Sequence, residues 1–330
     1  MSRNNGLLGQ ARKLSGAEPR KRRDDKLQTA MAVLRDYAFI HEPEDCEEPI
    51  LAPGARAALH HWLIEIRNSD KLADVGLKPR NTALLYGPPG TGKTTFAHHF
   101  AARLGLPLVA VKSESIIDMY LGATGKNIGR LFDALDDCID ENGVAQVVVL
   151  MDEIDSLGSK RTEGSGADQE RAASLNVLLR RVERFHGVLF GATNRKAAID
   201  SALWRRFSLQ INIDLPSENE RFAIIKRYAY PFDLADSEVE TLTELTAGAS
   251  PSLLRQLMEG MKRTIVLSDG KSRAAADPVF AFRTVKDAIE PPPEMDRPAL
   301  WINDSKAAIN ISNLSTMKWP PNRYPKEEAA

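Results

Sequence analysis

The chain has 330 residues, enough for two modest domains or one domain with extensions. Hydrophobic residues make up 43%, which supports a sizeable core, and 44 Lys plus Arg against 45 Asp plus Glu leave no charge excess pointing to a polyanionic partner. No apolar run approaches the roughly 18 residues that span a bilayer, and the start, MSRNNGLLGQARK, lacks the long apolar stretch of a signal peptide; the expected location is the cytoplasm, with no membrane partner.

Residues 1–23 hold seven basic residues and one acid with little apolar periodicity, which predicts a mobile basic tail. Residues 25–40 (DKLQTAMAVLRDYAFI) have the spacing of an amphipathic helix. The run EPEDCEE (42–48), with five acids and with Pro43 and Pro49, reads as a linker, so residues 1–49 form a basic tail, a helix and an acidic linker. Cys46 in that linker and Cys138 have no metal-type spacing; they read as two thiols in a reducing cytosol, a disulfide between them being the alternative. Residues 54–67 predict a second helix, in which His60 and His61 take surface or packing roles rather than catalytic ones.

From residue 82 short apolar runs alternate with helical stretches. TALLY (82–86), LVAVK (108–112), VVVLM (147–151), VLFGA (188–192) and LQINI (209–213) read as strands, with helices near 93–104, 124–141 and 168–184. Near-continuous apolar strands separated by helices predict an α/β fold, a parallel sheet covered on both faces, spanning 50–215. After Pro216 the strand signals stop. Residues 217–230, 236–247 and 250–267 read as helices of a small helical domain (216–268), and 269–330, with PPPEMDRP and WPPNRYP, as an irregular extension that wraps the surface or docks a partner.

The run GPPGTGKT follows a strand and opens a helix, the context that makes it a phosphate-binding loop. Gly87, Gly90 and Gly92 let the backbone curl so that its N–H groups face phosphates, and the helix N-terminus adds its positive dipole end. Lys93 is expected to reach the β- and γ-phosphates and Thr94 to ligate Mg²⁺. Together with Pro88, Pro89, Thr91 and Thr95 these residues form the predicted nucleotide segment. The buried run VVVLM then delivers Asp152 and Glu153 at its C-terminal end, the edge where ligands bind in such sheets. Asp152 fits a Mg²⁺ role through water, Glu153 a general base that polarises the attacking water, and Asp155 a cap for the next turn.

These motifs, with ADQERAASLNVLL (167–179) and GATNR (191–195), resemble those of the AAA ATPases, the subgroup of the AAA+ superfamily typified by protein-remodelling hexamers. The resemblance covers roughly residues 75–265. It implies a P-loop NTPase core with a small C-terminal helical lid, ATP and Mg²⁺ as cofactors, and assembly with copies of itself into a ring, a hexamer. It also implies that Asn194 is the polar sensor contacting the attacking water and the γ-phosphate. In IDSALWRRF, Arg205 and Arg206 fall on the positions of arginine fingers, which act on a neighbouring subunit's ATP. Met119, Tyr120, Leu121 and Gly122 fall on a pore loop that grips an extended polypeptide, and 159–169 on a second one. The chain departs from the family at GASPSLLRQ (248–256): Gly248 and Ser250 match the nucleotide-facing helix start, Pro251-Ser252-Leu253 replaces the usual step, and Arg255 takes the place of a second sensor.

The leading functional expectation is Mg²⁺-dependent ATP hydrolysis in a ring that remodels, unfolds or threads a protein substrate. The alternative is an ATP-driven switch or unfoldase for a separate peptidase or other effector, since no HExxH run occurs in these residues. A nucleic-acid motor or loader rests only on RKRR (20–23), against balanced charge and an aromatic–aliphatic pore step.

Overall fold

The computed structural model of the protein describes residues 25–117, 123–140, 143–157, 166–267, 277–293, 295–302 and 313–323, the side chains of 166–171, 313 and 316 excepted. In chain order the elements are helix α1 (25–37), strand β1 (Ala38–His41), α2 (Pro53–Arg67), α3 (Ser69–Ala73), β2 (Thr82–Tyr86), α4 (Lys93–Leu104) and β3 (Leu108–Val111). Then come α5 (Ser113–Ile116), α6 (Ala123–Asp136), β4 (Val148–Met151), α7 (Ile154–Leu157), α8 (Gly166–Arg184), β5 (Val188–Thr193), α9 (Ser201–Trp204) and β6 (Leu209–Asn212). The remainder is α10 (Glu218–Ala229), β7 (Phe232–Asp233), α11 (Asp236–Leu245), α12 (Pro251–Leu267), α13 (Pro278–Asp287) and β8 (Asn322–Arg323). By its contacts the chain forms two compact units. The first gathers Leu59–Tyr86 and Thr94–Ile211 with the segment ending at Glu47; the second gathers Glu48–Ala58, Gly87–Lys93 and the chain from Asn212 onward.

A six-stranded sheet of order β1-β3-β4-β5-β2-β6 runs through the first unit, with β3, β4, β5 and β2 parallel to one another. Every residue of β4 and β5 is buried, as a strand covered on both faces requires. Successive residues point to opposite faces, and the two faces have different partners. Leu84, Val149 and Leu189 pack with Leu34 of α1, with Ile128, Leu131 and Phe132 of α6, and with Leu175, Leu178 and Val182 of α8. On the other face Phe190 meets Trp62 of α2 and Phe100 of α4, with ring centroids 4.8 and 5.2 Å away, and Trp62 and Phe100 lie 4.4 Å apart. The Trp62 indole N–H donates to the Arg80 carbonyl at 2.7 Å. Arg80 pairs with Glu65 of α2, and this hydrogen-bonded guanidinium holds the Glu65 carboxyl below the usual carboxylate range. Both contacts fix the entry into β2.

Three expectations are corrected. The helix predicted over 25–40 ends at residue 37, and the chain turns into β1, antiparallel to β3 with Ala38 opposite Val111 and His41 opposite Leu108. Strand pairing along an otherwise open edge overrides the helical spacing of a short apolar run. Residues 25–41 are thereby part of the first core, since Ala30, Leu34 and Ala38 are buried in it. The stretch 269–330, expected to be irregular, contains α13, whose Phe282 and Val285 join Ile224, Leu254, Leu257 and Met258 in the second core together with Leu300, Trp301 and Leu314. Strand signals also continue past Pro216, because β7 pairs with β8. Cys46 and Cys138 are not disulfide-bonded; Cys138 is buried, and burial with Asp137 beside it pushes its thiol up to about 11. No helix among the described residues is long and apolar enough to cross a membrane.

Trp62 is 1% exposed and bound on three sides. Trp62→Ala is expected to lower the unfolding free energy by roughly 3–5 kcal/mol, measured by urea denaturation of the full chain.

Candidate functional site: a glycine loop and an acid pair on one sheet edge

The register of the parallel strands determines which residues leave the sheet together. Tyr86 lies opposite Thr193 and Met151 opposite Gly191. The residues that follow these strand ends, Gly87, Asp152 and Asn194, therefore emerge on the same C-terminal edge. Asn194 is exposed in the bend just after β5.

The glycine loop is self-bonded. Gly90 and Gly92 have φ of 73° and 93°, left-handed values that a side chain resists. The Thr91 hydroxyl donates to the Pro88 carbonyl at 2.9 Å, and the buried Lys93 ammonium donates to the Gly87 and Pro88 carbonyls at 2.9 and 2.7 Å. Pro89 is half-buried and Gly90 is exposed. Within the second unit, the Ser252 N–H donates to the Gly90 carbonyl at 3.1 Å. This is the first turn of α12, where Ser250 caps the helix by accepting from the Leu253 N–H at 3.3 Å and Pro251 needs no partner for a missing N–H. Gly248 has φ 81° just before this turn. Arg255 lies further along α12, hydrogen-bonded to Glu259 at 2.8 Å, 5.3 Å from the Tyr228 ring centroid, and it holds the Glu259 carboxyl below its usual range.

One residue beyond the loop, the first unit supplies the acid pair. Thr94 Oγ1 donates to Asp152 Oδ2 at 3.1 Å, while Asp152 Oδ1 accepts the Glu153 N–H at 2.9 Å. The Ser113 hydroxyl of α5 donates to the Asp152 carbonyl at 2.7 Å. Thr95 is half-buried behind Thr94, and Glu153 is exposed. Glu153 has φ 49°, the one non-glycine residue in the left-handed region among those described. An L side chain there costs about 1–2 kcal/mol, so the turn from β4 into α7 holds this carboxylate against its backbone preference.

Asp155 is not a cap: its carboxylate accepts from the Thr193 hydroxyl at 2.7 Å, and the same hydroxyl oxygen accepts the Arg195 N–H at 2.9 Å. This link fixes the turn carrying Asn194 to the turn carrying Glu153. Thr193, which extends β5 one residue past the strand read from the sequence, was not singled out there because its partner is 38 positions away.

Arg205 and Arg206 are exposed and follow α9. Arg205 Nε donates to the Ser201 carbonyl of its own helix at 3.1 Å, and Arg206 pairs with Glu183 of α8 at 3.4 Å. The pair is anchored by Phe207, 2% exposed, which fits because Gly191 has no side chain: a Cβ there would lie 2.7 Å from the Phe207 ring. The Thr82 hydroxyl, within hydrogen-bond distance of the Arg206 carbonyl at 3.2 Å and accepting the Ser208 N–H at 3.0 Å, holds the same backbone. Met119, Tyr120, Leu121 and Gly122 lie outside the described residues, as does most of 159–169.

A parallel sheet with a glycine loop between strand and helix, and an acid pair at the end of a neighbouring buried strand, defines a P-loop nucleoside triphosphatase. Residues 83–215 match the ATPase family associated with various cellular activities (AAA), so this stretch of the chain is an AAA ATPase domain. Similar proteins include an ATP-dependent zinc metalloprotease FtsH from Lachnoclostridium phytofermentans, 34% identical over 201 residues, covering 58% of this chain and 34% of that protein. Another is 26S proteasome regulatory subunit 10B homolog A from Arabidopsis thaliana, 33% identical over 202 residues, covering 59% of this chain and 49% of that protein. The chain thus spans well under two thirds of the length of these relatives. The crystal structure of the FIGL-1 AAA domain aligns with 86% of this chain and 93% of its own at a TM-score of 0.61 and 22% identity, a likeness of fold.

Because Glu153 sits at φ 49°, Glu153→Gly is expected to leave stability unchanged or raise it by up to about 1 kcal/mol, the relieved strain offsetting the added unfolded-chain entropy. Equilibrium denaturation checks this; a loss of about 1 kcal/mol, as for glycine at an ordinary helical position, would contradict it.

Proposed function

We propose that this chain hydrolyses ATP with Mg²⁺ in an oligomeric ring and uses the cycle to remodel, unfold or thread a protein substrate. The observation that carries the hydrolytic part is the 3.1 Å hydrogen bond from Thr94 to Asp152, which joins the end of the glycine loop to the acid pair. The two side chains offer hard oxygen donors side by side, the kind Mg²⁺ takes. When bound, Mg²⁺ neutralises charge on the β- and γ-phosphates. In this reading the loop N–H groups and Lys93 hold the phosphates, and ATP draws the Lys93 ammonium from the Gly87 and Pro88 carbonyls. Glu153 takes the proton of the attacking water, with Asn194 orienting that water from the next strand end. Gly248 and Arg255 belong to the nucleotide-facing side of the second unit.

Arg205 and Arg206 act in trans on a neighbour's ATP, neutralising charge on the transferring phosphoryl. Their exposure on a firmly anchored turn supports this, because a finger must reach outward from a fixed base. Tyr120 and Leu121, with Met119 and Gly122, grip the polypeptide. A second reading, a switch or unfoldase for a separate peptidase, is favoured by the relatives' names, one an ATP-dependent metalloprotease and one a regulatory subunit of a proteasome.

Glu153→Gln is expected to bind ATP and to lower kcat by about 10²–10⁴, read by phosphate release beside nucleotide-binding fluorescence; normal turnover would remove the base assignment. Arg206→Ala is expected to lower kcat by about 10³–10⁵, and mixing it with Lys93→Ala protein to restore part of the activity. Mixed assemblies that stay inactive would argue against action in trans.

A further inference from the structure

Lys196 lies in the turn after β5, two residues beyond Asn194. Its ammonium stands 4.5 Å from the centroid of the Tyr86 ring and 5.3 Å from that of Trp204, and the two rings are 5.4 Å apart and tilted by 51°. Tyr86 ends β2 immediately before Gly87, and Trp204 ends α9 immediately before Arg205. One cation therefore bridges ring faces carried by the strand that leads into the glycine loop and by the helix that presents the arginines, while sitting on the turn that follows Asn194. Both rings are half-buried while Lys196 itself is exposed, so the cation meets the ring faces from the solvent side and its attraction is that of a partly screened pair.

The arginine pair is two residues long and lies between two fixed points. Phe207, buried against Gly191, fixes its C-terminal side. Trp204 fixes its N-terminal side, and Lys196 fixes Trp204. We propose that Lys196 is a positioning residue: through the Tyr86–Trp204 rings it sets the direction of the α9 terminus, and so of Arg205 and Arg206, relative to the subunit's own sheet edge. The arginines offered to a neighbour then move with the edge that carries the subunit's own nucleotide segment. This rests on the reading of Arg205 and Arg206 as acting in trans.

Lys196→Met keeps most of the length of the side chain and removes the charge; Lys196→Arg keeps a cation that stacks on aromatic faces. In the full chain, Lys196→Met is expected to lower kcat about two- to fivefold with KM for ATP and the melting temperature unchanged, and Lys196→Arg to restore most of the rate. An unchanged kcat, a loss that arginine does not restore, or a loss matched by a fall in melting temperature would overturn the proposal. Mixed assemblies then locate the effect. Lys196→Met on the Lys93→Ala subunit, which donates arginines, is expected to lower the rescued rate of Arg206→Ala by the same factor, whereas on the Arg206→Ala subunit it leaves rescue in place. Equal loss from either side would overturn the assignment to the arginines. Absence of rescue with Lys196 intact would count against action in trans alone, and the kcat comparison of Lys196→Met with Lys196→Arg would still decide whether Lys196 positions anything.

Discussion

The pairing register of four parallel strands is the constraint on which the candidate site depends. With Tyr86 opposite Thr193 and Met151 opposite Gly191, the chain must leave the sheet at one edge with Gly87, Asp152 and Asn194. A slip of one residue would turn Leu84, Leu189 and Val149 to the wrong face and carry the acid pair away from Thr94. The buried rings of Trp62, Phe100 and Phe190 on one face and the α1, α6 and α8 side chains on the other make that slip prohibitive. Packing energy in the core is thus what sets the 3.1 Å contact between Thr94 and Asp152 at the edge.

Around that edge the local chemistry runs against ordinary preference in two places. Glu153 is held in a left-handed turn, its N–H bonded to the preceding carboxylate. Gly191 gives up a side chain in mid-strand so that Phe207 can approach. The Thr193–Asp155 hydrogen bond and the Lys196–Tyr86–Trp204 group then tie the turns at the strand ends to one another. These contacts link the segments proposed to bind, hydrolyse and complete the neighbour's site, which is the physical route by which a change at one segment reaches the others.

Much of this was legible in the sequence. Five of the six strands of the α/β sheet and helix α4 follow from apolar runs, and the loop and acid pair from glycine spacing and a buried strand ending in two acids. What was not legible depended on contacts between distant residues. The helix spacing of 25–40 is real, yet AFIH pairs with β3, with Ala38 opposite Val111 and His41 opposite Leu108. The prolines of 269–330 suggested irregularity, although Asp277-Pro278 is a helix-start signal, the Asp277 carboxylate accepting the Phe280 N–H at 3.1 Å. Asp155 looked like a cap because its partner Thr193 is remote, and nothing in the spacing of Lys196 or Trp204 announces that they meet.

The most direct test is steady-state phosphate release by the purified full-length chain with ATP and Mg²⁺, measured across protein concentration for the native protein and for Thr94→Ala. A site assembled on this edge and completed by a neighbour predicts specific activity that rises with concentration and disappears in Thr94→Ala. Activity that is absent at every concentration, or that is independent of both concentration and Thr94, would contradict it.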